Sequence, residues 1–195
     1  ECQYTLPFID EASIENSITC CAVCLSLGLS AADIAGRMPK LEAVAMRLEV
    51  KQGQHGCTLI NDSYNSDINS LDIALDFISR RPDHKGRRRT LILSDILQSG
   101  MTRDQLYAEV SELCVKRGVE KFIGVGPDLM AEADRIGVGE KYFFPDSQTF
   151  IKSPVFSTLR DEVILIKGAR AFGFDGISEL LEQKVHETIL EVNLQ

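Results

Sequence analysis

Four short, mainly apolar runs punctuate this chain: Cys57 to Ile60, Thr90 to Leu93, Lys121 to Val125 and Val163 to Ile166. Continuous apolar runs of this length are strands buried on both faces, and amphipathic segments between them supply the covering helices. The pattern predicts an α/β fold, a mostly parallel sheet with helices on both faces. Helices are expected over about Asp67 to Arg80, where Ile68, Leu71, Leu75 and Ile78 share a face, and over about Arg103 to Arg117, Asp128 to Ile136 and Ile177 to Val185. Tyr142 to Phe144 reads as a short strand and Ser147 to Leu159 as a helix or irregular turn. Val44 to Lys51 pairs with Cys57 to Ile60 as an antiparallel hairpin around Gly53-Gln54-His55-Gly56.

The chain opens differently. A helix is expected from Asp10 to about Leu27, with Asp10 or Ser13 near its cap and Ile14, Ile18, Cys21 and Leu25 at helical spacing. Ser30 begins a second helix that Pro39 stops near Met38. This opening holds no strand, so it reads as the tail of something else. Glu1 is not an initiator methionine, and the chain is expected to begin inside a longer polypeptide. At the other end, Thr188 to Leu194 alternates like a new strand.

Charge and cysteine usage narrow the partners. A net charge of -8 argues against nucleic acid or an acidic membrane surface. The basic run from Arg80 to Arg89 has no interleaved aromatics, so it reads as a solvated loop. Cys21 and Cys24 have C-x-x-C spacing with no second ligand pair to complete a zinc site, and His55, His84 and His186 stand alone. The cysteines of the first helix therefore read as small buried apolar residues, and Cys2, Cys57 and Cys114 as scattered thiols, in reduced cytoplasmic surroundings. No apolar run approaches the roughly 20 residues that cross a bilayer, and the N-terminus shows no basic-then-apolar signal pattern.

Three strand-end loops carry the candidate chemistry. Leu59-Ile60 runs straight into Asn61-Asp62-Ser63-Tyr64-Asn65-Ser66-Asp67, seven polar or hydrogen-bonding residues in a row. Capping of the next helix explains one or two of them and leaves Asp62 and Tyr64 over. Ser94-Asp95 and Lys167-Gly168-Ala169-Arg170 follow the other strands. In a parallel sheet these ends converge on one edge, carboxylates in two loops facing cations in the third. Arg47 and Glu49 share a face of the hairpin strand, a solvated face unless the Asp62 loop lies beside it. There is no G-x-x-x-x-G-K followed by Ser or Thr and no G-x-S-x-G elbow, while Gly124-Val125-Gly126 is half a dinucleotide fingerprint. A free-standing nucleotide-binding module and a non-catalytic interaction domain stay open on these residues alone.

The ordered set Pro7-Phe8 through Asn16, Met46-Arg47-Leu48-Glu49, Asn61-Asp62-Ser63-Tyr64-Asn65, Leu93-Ser94-Asp95-Ile96-Leu97 and Lys167-Gly168-Ala169-Arg170 resembles the Mur ligase family over nearly the whole chain. The D-S-Y-N and K-G-A-R elements are most similar to the branch that adds D-alanyl-D-alanine. The resemblance implies a three-domain cytoplasmic ligase of peptidoglycan synthesis whose C-terminal domain is Rossmann-like. Such a ligase spends ATP, with Mg2+, to join D-Ala-D-Ala to UDP-N-acetylmuramoyl-tripeptide through an acyl phosphate. It further implies that residues 1–40 are a helical tail of the central ATP-binding domain, 41–187 the C-terminal domain, and 188–195 a linker or the start of a following domain.

Asn16, Arg47, Asp62, Tyr64, Asn65 and Ser66 then match nucleotide-contacting positions, with Asp62 on the ribose hydroxyls. Asp95, Lys167 and Arg170 match positions near the acceptor peptide. No catalytic residue and no metal ligand falls in this stretch, since the central domain holds the Mg2+ and most of the ATP. Two departures stand out: Ser94 occupies a position that is usually Gly, and Asp175 stands where a glutamate is common. Ile189 to Leu194 resembles the first strand of alanine racemases, which some bacteria fuse to this ligase.

Overall fold

The computed structural model describes residues 3–8, 11–41, 47–81, 86–97 and 99–182. The Asp10 cap, strand residues Val44 to Met46, Lys85 of the basic run, the helix end at Val185 and the strand-like Thr188 to Leu194 lie outside these residues, as do Cys2, His84 and His186.

Among the described residues six strands form one sheet: β1 (Glu49–Gln52), β2 (Thr58–Asp62), β3 (Arg88–Ser94), β4 (Lys121–Val125), β5 (Glu140–Phe144) and β6 (Glu162–Lys167). Their spatial order is β1-β2-β6-β3-β4-β5. Only β1 runs antiparallel, paired with β2 as the predicted hairpin; β2, β6, β3, β4 and β5 are mutually parallel. Every residue of β2, β4 and β6 is buried. That is the burial expected of strands roofed on both faces.

Alternation along the strands divides the core in two. Val163 and Leu165 of β6, with Ile60, Leu91 and Leu93, pack beneath α3 (Ile68–Arg80) and α4 (Arg103–Lys116). Ile164 and Ile166, with Leu59, Ile92 and Ile123, face Phe150 of α6 (Ser147–Ile151) and Phe174, Ile177 and Leu181 of α8 (Phe174–Leu181). Each fully buried Leu, Ile or Val contributes about 1.5–3 kcal/mol of transfer free energy, so this double layer dominates stability.

The helices differ from expectation in places with visible causes. The segment read as one helix from Asp128 breaks into α5 (Pro127–Ala131) and a 3-10 turn at Ala133–Arg135. Ser147 to Leu159 resolves into α6 and α7 (Pro154–Ser157), because Pro154 lacks the amide that would continue the first helix. Strand β1 starts only at Glu49, so the two-residue alternation does not reach back to Arg47.

The opening helices are α1 (Glu11–Ser26) and α2 (Ala31–Arg37), the latter capped by Ser30. Ile34 and Met38 are buried, yet Ile14 is 41 %, Ile18 58 % and Leu25 52 % exposed, so the apolar residues of α1 are not a core face of this chain. The reading of its cysteines as buried is corrected with them. Cys20 is exposed and Cys21 and Cys24 half-buried, whereas Cys57 and Cys114 sit in the two cores.

Candidate functional site

Strand register places the polar strand ends in one row. Asp62 of β2 lies opposite Lys167 of β6, Lys167 opposite Leu93 of β3, and Ser94 opposite Val125 of β4. The three loops singled out in sequence therefore do share the carboxyl edge of the sheet. The Ala169 amide donates to Ser94 Oγ at 2.9 Å, tying two of them together. Gly168 is required beside this tie, because a Cβ there would lie 2.6 Å from the Phe174 ring.

Lys167 is wholly buried, and its ammonium group donates to Asp62 Oδ2 at 2.8 Å and to the Asn65 carbonyl at 2.7 Å. The Asp62 carboxylate, 6 % exposed, also accepts from the Leu48 amide at 3.4 Å through Oδ1. An ionised carboxylate accepts about four hydrogen bonds, so Asp62 keeps capacity beyond these two. Leu48 meets it in the left-handed region, at φ 48, a conformation that costs a non-glycine residue about 1–2 kcal/mol. The Leu48 side chain packs against the core on the α3 side. Arg47, just ahead of this bend, sets its guanidinium 4.5 Å from the centroid of the Tyr64 ring. Both residues are exposed, Tyr64 by 50 %. A cationic plane stacked on an aromatic ring thus stands at the surface, directly beside a buried carboxylate–ammonium pair.

The rest of the loop follows from local hydrogen bonds. Asn65 Oδ1 accepts from the Ser66 amide at 2.9 Å, and Ser63 Oγ donates to Asn61 Oδ1 at 2.6 Å. Asp67 is the helix cap: it accepts from the Ser70 amide at 2.9 Å, while the Ser70 hydroxyl receives the Asp67 amide. Burial pulls the Asp67 carboxyl up, but the Ser70 amide and hydroxyl, with Lys167 nearby, outweigh it and hold the group below the usual aspartate range. Ser66 is 2 % exposed, and its hydroxyl has no partner among the described residues. A buried hydroxyl left unpaired is costly, about 1–3 kcal/mol, and marks a position that a ligand can satisfy.

The remaining candidates separate. Asp95 lies on the same edge but is 2 % exposed and turned inward. Its oxygens accept from the Asp128 and Leu129 amides at 3.0 and 2.8 Å, at the start of α5, and from the Tyr107 hydroxyl at 3.4 Å. Burial pushes its carboxyl up against those amides. Arg170 is exposed, on a 3-10 turn at Arg170–Phe172. Asn16 is exposed on α1, and no hydrogen bond or ion pair among the described residues ties it to the Asp62 edge. Among those residues no group of three or more His, Cys, Asp or Glu is placed to hold a metal ion, and no helix is long and apolar enough to cross a membrane.

Sequence reasoning missed a second buried charge cluster, at the opposite edge. Lys121 and Glu162 pair at 2 % and 4 % exposure, Thr90 donates its hydroxyl to Glu162, and Glu140 and Arg88 continue the network outward. Each of these residues lies at or near a strand start, where a charge ordinarily reads as a solvated end. The arginines of the basic run close the same edge: Arg87 binds Thr58 and the Gly56 and Glu162 carbonyls, and Arg89 the Arg117 carbonyl.

Comparison with known proteins bears on this geometry. The model of the family described as Mur ligase, glutamate ligase domain, matches residues 46–170. The chain is 26% identical over 180 residues to the UDP-N-acetylmuramoyl-tripeptide--D-alanyl-D-alanine ligase of Escherichia coli (strain K12), covering 91% of the chain and 38% of that relative. It is 20% identical over 189 residues to the ligase of the same name from Bacillus subtilis (strain 168), covering 92% of the chain and 40% of the relative. The chain thus spans about two fifths of the length of these relatives. Among solved structures, crystal structure II of MurF from Acinetobacter baumannii superposes with a TM-score of 0.77 at 19% identity, over 91% of this chain and 39% of that one. The MurF ligase of Thermotoga maritima in complex with ADP gives 0.68 at 17%, over 89% and 38%. These two show the same fold.

Proposed function

The chain belongs to the Mur ligase family, and on that premise we propose that it is the end of an ATP-dependent ligase joining D-alanyl-D-alanine to UDP-N-acetylmuramoyl-tripeptide in peptidoglycan synthesis, in the cytoplasm. The observation that carries the proposal is the carboxyl-edge arrangement: Arg47 stacked on exposed Tyr64, Asp62 beside them, and in the same loop the Ser66 hydroxyl, which has no partner among the described residues. An aromatic–guanidinium plane suits a purine base, and a carboxylate with spare acceptor capacity suits two ribose hydroxyls. Asn65, exposed in the same loop, offers its amide to the base or ribose.

ATP supplies the phosphoryl group that activates the tripeptide carboxyl. The part of this chain is to hold the nucleoside end, exclude water and orient the acceptor. Arg170, an exposed cation on the same edge, suits the carboxylate of D-Ala-D-Ala. Mg2+ and the triphosphate are assigned to the rest of the ligase, as the family resemblance implies. Residues 1–40 are proposed as the tail of that ATP-binding domain, with Asn16 turned to the nucleotide; the exposed apolar residues of α1 support this. Residues 41–187 then move as a cap. The alternation of Thr188 to Leu194 supports reading 188–195 as the entry to a following domain, with alanine racemase the candidate.

The test compares the complete ligase with the isolated 195-residue chain. The complete ligase should join the two substrates with ATP, and the Asp62→Asn variant should raise its KM for ATP. The isolated chain should be inactive and bind ATP no more tightly than about 1 mM, roughly the -4 kcal/mol level. Tight ATP binding by the isolated chain would instead favour a free-standing nucleotide module. An Asp62→Asn ligase with both turnover and KM for ATP unchanged would favour an interaction domain.

A further inference from the structure

We infer that Lys167 is a positioning residue for the nucleotide contact, acting through Asp62 and Asn65 and not on the acceptor peptide. This rests on the reading that the Arg47–Tyr64–Asp62 edge meets the nucleotide. Three observations support it. Lys167 is 0 % exposed, so its ammonium group cannot reach a ligand at the surface without leaving Asp62. Its two hydrogen bonds join the end of β6 to both ends of the stretch Asp62 to Asn65, and Asp62 in turn accepts from Leu48. Leu48 carries the left-handed bend that precedes β1, and Arg47 is the residue before it.

One buried cation therefore fixes three pieces of the proposed contact: the carboxylate, the Asn65 backbone and, through Leu48, the guanidinium over Tyr64. Removing the ammonium leaves a buried carboxylate without its counter-charge, a state proteins relieve by moving or protonating the group. Either response displaces the acceptor meant for the ribose, and the Leu48 amide loses its partner. A displacement of about 1 Å in a positioning group costs up to roughly a hundredfold in rate or affinity. The exposed Arg170, three residues on, is free of this duty and is the better candidate for an anionic substrate group.

The experiment varies ATP and D-Ala-D-Ala separately in the complete ligase with Lys167→Met, Lys167→Arg and Asp62→Asn. Lys167→Met should raise the KM for ATP about tenfold or more and leave that for D-Ala-D-Ala within about twofold. Lys167→Arg keeps the charge and should recover part of the loss. A rise in the D-Ala-D-Ala KM with ATP unaffected would overturn the inference. If Lys167→Met does not fold, the same split is read from Lys167→Arg against the unaltered enzyme. If Asp62→Asn leaves the ATP KM unchanged, the nucleotide reading of the whole edge fails. If Asp62→Asn raises it while both Lys167 variants do not, only the inference about Lys167 fails.

Discussion

Strand β6 begins with a buried acid, Glu162, and ends with a buried base, Lys167, and the ion pairs anchored at its two ends have opposite surroundings. At the amino end, Glu162 meets Lys121 and Thr90 and is sealed by Arg87, Arg88 and Glu140. At the carboxyl end, Lys167 and Asp62 back onto an exposed Arg47–Tyr64 stack and a hydroxyl with no partner among the described residues. Buried lysine–carboxylate chemistry is common to both. What separates them is whether the pair closes on itself or supports groups that face outward, and the second arrangement is the one expected of a binding site.

The comparison can be broken most forcefully at the closed end. Lys121→Met leaves Glu162 without its counter-charge and should destabilise the fold by about 3–5 kcal/mol in chemical denaturation. The KM for ATP of the complete ligase should stay as it was. At the open end the balance reverses: Arg47→Ala should change stability by less than about 1 kcal/mol, because its cation–π contact is exposed. It should nonetheless weaken ATP binding by about tenfold, equivalent to about 1.4 kcal/mol, by calorimetry.

A third probe tests the loop's anchor. Asp67→Ala removes the cap of α3 and should cost about 1 kcal/mol at neutral pH. The folded carboxyl titrates below its unfolded value, so its contribution is present above the unfolded pKa, about 3.9, and is lost as pH falls through the lower folded value. The gap between wild type and Asp67→Ala should therefore narrow in that acid range. The smallest effect concerns the thiols of the 195-residue chain. Cys20 should react with a thiol reagent in the native state, while Cys114, buried and pushed up to about 12, should react only on unfolding.

Much of the sheet was legible because its strands are apolar runs bounded by charges, so β4 was predicted to the residue and β3, β5 and β6 to within two. The convergence of the Asp62, Ser94 and Lys167 loops followed from parallel topology alone. What the sequence could not display was the direction of individual side chains. Asp95 looks like another loop carboxylate until the α5 amides are seen around it. Lys167 looks like a surface cation until its burial is known. The bend at Leu48 leaves no mark in an alternating pattern, yet it decides where Arg47 goes. The apolar spacing of α1 promised a core face, and only the exposure of Ile14, Ile18 and Leu25 shows that it is not one in this chain.

Photoaffinity labelling with an adenine-ring azido analogue of ATP, followed by peptide mapping of the complete ligase, probes the open end of β6 most directly. Label should fall on the peptide holding Tyr64. An analogue that is turned over yet leaves the whole stretch from Arg47 to Asp67 unlabelled would contradict the account.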